Sequence, residues 1–112
     1  MKDYRQGDVL LKQIDKLPQG LEKVEPEGDR IILMHGERTG HAHAFYKESP
    51  ELDLGVHMFR DPVTGERFIE ILGGGAALKH EEHLTVNLTG GTVYRLPVQV
   101  EDDSEFVQQV ED

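Results

Sequence analysis

Short apolar segments rich in Val, Ile, Leu and Phe, separated by Gly, Pro, Asn and Asp, constrain the fold of this chain most strongly. They occur at residues 7–14, 30–35, 41–46, 56–60, 67–72, 84–88 and 92–96, with residues 98–100 as a candidate extension. Segments of this length and spacing are typical of strands in a sandwich or barrel. No stretch has the apolar period of a long amphipathic helix. The pattern therefore predicts an all-β fold.

The segments between the predicted strands differ in how clearly they can be interpreted. Residues 61–66 (DPVTGE) and 89–91 (TGG) each stand between two predicted strands and indicate hairpin turns. Residues 16–29 contain prolines, glycines and charges without periodicity, which predicts a loop. Residues 76–83 fit either a strand or a helical turn. Residues 102–112 form an acidic tail, within which a single helical turn is expected.

Size and charge limit the classes of function. A chain of 112 residues fits one domain, residues 1–112. Twelve Lys and Arg against 22 Asp and Glu give a net charge of −10, so we expect no nucleic-acid binding and a general attraction for cations. We also expect no association with a membrane, because no apolar run approaches the length of a bilayer span. The opening MKDYRQGD has no apolar signal-peptide core, which favours a cytoplasmic location.

The six histidines are the strongest indication of chemistry in this chain. His41 and His43 are two residues apart, so on a strand both imidazoles point to one face. His80 and His83 enclose two glutamates; they share a face on a helical turn but not on a strand. With no cysteine in the chain, a metal ion must be held by histidine, carboxylate or backbone oxygen. The two pairs predict a metal site, and the two single histidines are expected to pack or face solvent: His35 and His57.

The spacing around these histidines resembles the two motifs of the cupin family. The first motif matches His41-x-His43, then four residues, then Glu48, then six residues, then Gly55. The end of the second motif matches His83 and Asn87, with three residues between them. The resemblance implies a double-stranded β-helix barrel with a divalent metal on a set of four side chains: His41, His43, Glu48 and His83. A cupin-like barrel is therefore the favoured form of the predicted all-β fold.

Three further blocks, RQGDVLL, GHAH and HEEH, resemble small bacterial and phage-encoded proteins without an assigned activity. The opening GDVLLKQI is also similar to the first strand of co-chaperonin barrels. The first likeness implies a compact stand-alone protein. The second supports an alternative function, a metal-free interaction or assembly module that uses strand edges or its acidic surface. A homo-oligomer is expected under either hypothesis, since small cupin-like barrels commonly dimerise.

The leading hypothesis is a β-barrel that binds zinc, iron, nickel or manganese through His41, His43 and His83. Glu48 or His80 would complete the set of ligands. Whether the protein is an enzyme stays open at this point. Three ligands with a free position for a small molecule would favour catalysis, whereas a shell closed by a fourth protein ligand would favour a structural or sensing role.

Overall fold

The computed structural model describes residues 2–35, 40–47 and 54–97. These ranges contain strands joined by turns and no helix, which confirms the prediction of an all-β protein. Consequently no described segment is a helix long and apolar enough to cross a bilayer. The strands are β1 (Asp3–Gln6), β2 (Val9–Ile14), β3 (Glu22–Val24), β4 (Arg30–His35), β5 (Ala42–Tyr46), β6 (Val56–Arg60), β7 (Arg67–Ile71), β8 (Ala76–Leu78), β9 (Val86–Leu88) and β10 (Val93–Leu96).

The strands are arranged in one large sheet and two hairpin-sized sheets. The large sheet is antiparallel, with the order β1-β2-β10-β7-β6-β3, while β4 pairs with β5 and β8 with β9. A bridge between Ala44 and Lys79, with reciprocal N–H···O distances of 3.0 and 2.9 Å, joins β5 to the residue that follows β8. No closed barrel is formed by the described strands, and the cupin architecture stays a prediction.

The apolar core is shared by all three sheets. Within β2 the buried positions alternate, as expected of a strand with one face on a core. The large sheet contributes residues such as Val9, Ile69 and Tyr94, and the small sheets contribute Phe45 and Leu78 from the facing side. The small sheets are therefore fixed by packing against the large sheet as well as by their own ladders.

The hairpin predicted at residues 61–66 is confirmed. β6 and β7 pair from Val56↔Ile71 to Arg60↔Arg67, directly on either side of the turn. The Asp61 carboxylate accepts hydrogen bonds from the N–H groups of Val63 and Thr64, at 2.8 and 3.3 Å, and these contacts lower the pKa of Asp61. Gly65 has a φ of 79°, which a side chain would disfavour.

The hairpin predicted around residues 89–91 is wrong. β9 pairs with β8, whereas β10 pairs with β2 and β7, so this turn carries the chain from one sheet to another. The reason is a close contact between two glycine turns. A Cβ at Gly90 would overlap the carbonyl of Gly73, and a Cβ at Gly75 would lie 2.9 Å from the carbonyl oxygen of Leu88. Glycine is used here for close backbone approach rather than for a hairpin.

Two short strands lie where no strand was predicted. β1 (Asp3–Gln6) pairs with β2, and β3 (Glu22–Val24) pairs with β6 inside the segment expected to be a loop. Both consist mainly of polar or charged residues and stand at the two edges of the large sheet. Their extended form follows from pairing with a longer apolar neighbour. The predicted extension at residues 98–100 and the tail at residues 102–112 lie outside the described ranges.

Candidate metal centre

Three histidines from two distant parts of the chain meet beside the core. We call His43, His80 and His83 the histidine cluster. The ring centroids of His43 and His80 are 4.3 Å apart, those of His80 and His83 4.7 Å, and those of His43 and His83 5.6 Å. His43 is fully buried and His80 is 9% exposed, while His83 is partly exposed. The cluster therefore reaches from the interior towards the surface.

The strand pairing explains this convergence. His43 points to the same face of β5 as Phe45, a core residue, so its ring is directed inwards. The bridge between Ala44 and Lys79 places the residue after Lys79 next to the residue before Ala44, which brings His80 against His43. The chain then bends at residues 81–83 instead of continuing as a strand or helix. This bend returns His83 to the same side as His80.

Gln6, at the end of β1, determines the orientation of the His43 ring. Its side-chain N–H₂ group donates hydrogen bonds to the carbonyls of Leu78 and Leu84, at 2.9 and 2.8 Å. Its Oε1 must then be the atom 2.8 Å from Nδ1 of His43, so that Nδ1 carries the proton and donates it. In a neutral imidazole the lone pair consequently lies on Nε2. This arrangement, in which one ring nitrogen donates its N–H to a fixed acceptor and the other carries the lone pair, is typical of metal-binding histidines.

The other two histidines present buried nitrogen atoms. The Nε2 atoms of His80 and His83 are buried, and neither has a hydrogen-bond partner within residues 2–35, 40–47 and 54–97. The Nδ1 of His80 accepts a hydrogen bond from the backbone N–H of Glu82 at 3.0 Å. A buried polar atom without a partner costs free energy, and it needs a ligand or solvent molecule to offset that cost.

One ring nitrogen from each member of the histidine cluster lies within 4.8 Å of the others. Bonds of about 2.0–2.1 Å at tetrahedral angles would place ligand nitrogens about 3.4 Å apart. Rotations of the rings would close this difference. The residues present therefore fit a transition-metal ion in both donor type and spacing.

A second group of donors, which we call the outer group, shares His80 with the cluster and consists of His41, His80 and Glu81. The Oε1 of Glu81 accepts a hydrogen bond from the N–H of Ala42 at 3.0 Å. That hydrogen bond is the main cause of a lowered pKa at Glu81, with smaller contributions from the two histidines, so the carboxylate is ionised at neutral pH. His41 also lies near the neighbouring carboxylate, with its Nδ1 3.8 Å from Oε2 of Glu82.

The ligands predicted from the sequence fall into two groups in the structure, and one lies outside the described ranges. His43, His80 and His83 come together, while His41 belongs to the outer group, and Glu48 lies outside the described ranges. His41 precedes β5 rather than lying within it, so the strand spacing of the HxH pair does not apply to it. His57 pairs with Glu70 at 3.4 Å on the β6–β7 hairpin, away from both groups. Gln6 was not foreseen from the sequence, since a single glutamine before a Gly-Asp turn carries no signal of its own.

Fold and site together define an all-β protein in which histidines lie near one another and could bind a metal ion. The chain belongs to the family described as Domain of unknown function (DUF8820), which matches residues 5–99. The match covers the whole histidine cluster as well as Gln6. No curated protein and no solved structure matches the chain.

Proposed function

We propose that this protein binds a divalent transition-metal ion through His43, His80 and His83. The observation that carries the proposal is the set of three imidazoles with ring nitrogens within 4.8 Å of one another, in which Gln6 fixes the His43 ring and the buried Nε2 of His83 faces no described partner. The net charge of −10 adds a general attraction for cations. The proposed set differs from the one implied by the cupin resemblance, because His80 takes the place of His41.

The donor set narrows the choice of ion. Three imidazoles without a thiolate suit zinc, iron or nickel, and manganese becomes suitable if a carboxylate joins them. Three protein ligands leave a position for water or a small-molecule ligand, as in metal centres that perform catalysis. An ion held there would supply Lewis-acid or oxygen-activating chemistry. The contribution of the chain is to exclude solvent around His43 and to hold its proton on Nδ1.

Elemental analysis of the untagged protein tests this function directly. We expect about one ion per chain in the wild type, retained in His57→Ala and lost in His83→Ala. His83 is the variant of choice because it lies in a bend and is partly exposed, so its removal leaves the core intact. His57→Ala removes an imidazole from the far hairpin and is the matched control.

Circular dichroism of each variant shows whether the fold is retained, and His43→Gln provides a second loss-of-ligand variant that keeps a buried polar side chain. The proposal is overturned if the wild type contains no ion and takes up none on titration with zinc, iron(II), nickel or manganese.

A metal-free assembly module is the second candidate function. The observation that favours it is the side chain of Leu84, which is 90% exposed although it directly follows the histidine bend. Covering this side chain on association would remove apolar surface from water, which favours binding. Sedimentation analysis of Leu84→Ser decides this candidate: a wild-type oligomer that the variant dissociates, in protein free of metal, would support assembly. A monomeric wild type would contradict the assembly function.

A further inference from the structure

The outer group differs from the histidine cluster in exposure while sharing one ligand with it. Glu81 is exposed and the side chain of His41 is 23% exposed, whereas His43 is fully buried. His80 belongs to both groups and is itself 9% exposed. The two groups therefore form a series from solvent to interior, with His80 as the common member.

We propose that the outer group is a transient cation site, through which a divalent transition-metal ion passes on its way to the histidine cluster. The inference rests on the proposed function, because it needs the cluster to bind an ion. A carboxylate and two imidazoles are suitable ligands for the same ions as the cluster. Glu81 can bind through Oε2 while its Oε1 keeps the hydrogen bond from Ala42, so the site needs no change in the β5 backbone.

The sharing of His80 explains why the two groups act in sequence. A neutral imidazole offers one lone pair, because its other nitrogen carries a proton. His80 can therefore complete either group at a given time, and one ion per chain is expected. In the structure its Nδ1 accepts the N–H of Glu82, so the lone pair is on Nδ1 and the proton on the buried Nε2. Binding through Nε2 requires the proton to leave Nε2, with Nδ1 protonated in its place by solvent exchange and the hydrogen bond from Glu82 broken. This change of tautomer makes His80 the residue that switches between the two groups.

The outer group also lies in the part of the surface where a cation would be attracted. Glu81 and Glu82 are adjacent exposed carboxylates, and His41 lies close to both Glu82 and His80. Negative charge at the mouth of a site raises the rate at which cations arrive. The histidine cluster has no carboxylate of its own among the described residues grouped with it. An ion arriving directly at the cluster would therefore meet no carboxylate ligand on its way.

Rates of metal association and dissociation distinguish a transient site from a permanent ligand. A route used in both directions changes both rates by the same factor and leaves the dissociation constant unchanged, whereas a permanent ligand changes the dissociation constant. We would mix Co²⁺ with the metal-free protein and follow the absorption of the bound ion by stopped flow. Chelator chase gives the dissociation rate. Glu81→Gln and His41→Ala each remove a ligand of the transient site and should slow both rates about tenfold, which is more than the loss of one nearby charge alone would cause.

Two matched variants separate the site from charge alone. Glu81→Gln retains an oxygen that can accept the Ala42 N–H, so it removes charge and ligation without removing the hydrogen bond. Glu82→Gln removes the same charge one residue away, and Glu70→Gln removes it on the far hairpin. Both controls should slow association by less than a factor of about three, as expected for one nearby charge in screening salt.

Each result leads to a definite conclusion. The transient site is overturned if Glu81→Gln leaves the association rate unchanged or raises the dissociation constant. It is also overturned if Glu82→Gln slows association as much as Glu81→Gln does. Two ions bound at once to the wild type would also overturn it, because His80 could not then alternate. A wild type that binds no Co²⁺ contradicts the proposed function itself, and the transient site fails with it.

Discussion

In the turn between β6 and β7, the Asp61 carboxylate accepts hydrogen bonds from residues two and three positions away, whereas the side chain of Gln6 beside the histidine cluster binds partners 37 to 78 residues away. The turn is exposed, and water can replace any hydrogen bond it loses. The surroundings of Gln6 and His43 are buried, so a lost hydrogen bond there has no replacement. The turn is therefore stabilised by hydrogen bonds between neighbouring residues, while the histidine cluster depends on contacts between distant parts of the described fold.

Removal of the Gln6 side-chain amide should cause the largest loss of stability. Gln6→Leu leaves the His43 N–H and the carbonyls of Leu78 and Leu84 without their partner, and we expect a cost of about 4 kcal/mol in the free energy of unfolding. Urea denaturation measures it. Gln13→Leu is the matched control, because Gln13 makes an exposed hydrogen bond to the Lys2 N–H and should cost less than about 0.5 kcal/mol. Equal losses of stability in the two variants would show that the buried hydrogen bonds of Gln6 contribute no more than an exposed one.

Metal binding should stabilise the folded protein equally in the wild type and in the hairpin variant His57→Ala. Zinc at about one hundred times its dissociation constant should raise the free energy of unfolding of the wild type by about 2.7 kcal/mol. His57→Ala should gain the same amount, and His83→Ala should gain none. Thermal denaturation with and without zinc is the measurement, and an equal shift in His83→Ala would show that zinc acts elsewhere.

The contact between the two glycine turns should be sensitive to a single methyl group. Gly90→Ala would press a Cβ into the carbonyl of Gly73, so we expect a loss of about 2 kcal/mol. Gly74→Ala, in the same turn as Gly73, meets no atom within 4 Å and has no positive φ, so it should be close to neutral. Denaturation midpoints of the two variants give the comparison. A neutral Gly90→Ala would mean that the turns can separate without cost.

The hairpin itself should show the smallest effect and the simplest dependence on pH. Asp61→Ala removes the acceptor of two exposed N–H groups. The loss in the free energy of unfolding should be smaller than for Gln6→Leu or Gly90→Ala. The pKa of Asp61 is lowered in the folded protein, so its contribution is present above the unfolded pKa and is lost as the pH falls through the folded pKa. Urea midpoints of the wild type and Asp61→Ala, measured from pH 6 downwards, should therefore converge in acid. A difference that grows in acid would contradict this assignment.

The same contrast explains what could be predicted from the sequence. β2, β4, β6 and β7 were predicted because their apolar residues and flanking turns are local signals. β1 and β3 were missed because polar edge strands are extended only through their neighbours. The histidines were recognised as candidates by residue type. Their grouping depends on the contact between Ala44 and Lys79, which no local pattern encodes.

Gln6 is synthesised long before the residues whose carbonyls accept its hydrogen bonds, and this order determines when the histidine cluster can form. The carbonyl of Leu84 is 78 residues further along the chain, so Gln6 leaves the ribosome long before this partner exists. The turn between β1 and β2 and the β6–β7 hairpin can form during translation. The three imidazoles cannot come together until residues 80–84 have emerged from the ribosome. A nascent chain therefore cannot take up metal in the arrangement seen here. The proposed loading of the histidine cluster must therefore follow the synthesis of residues 80–84 and their contact with Gln6.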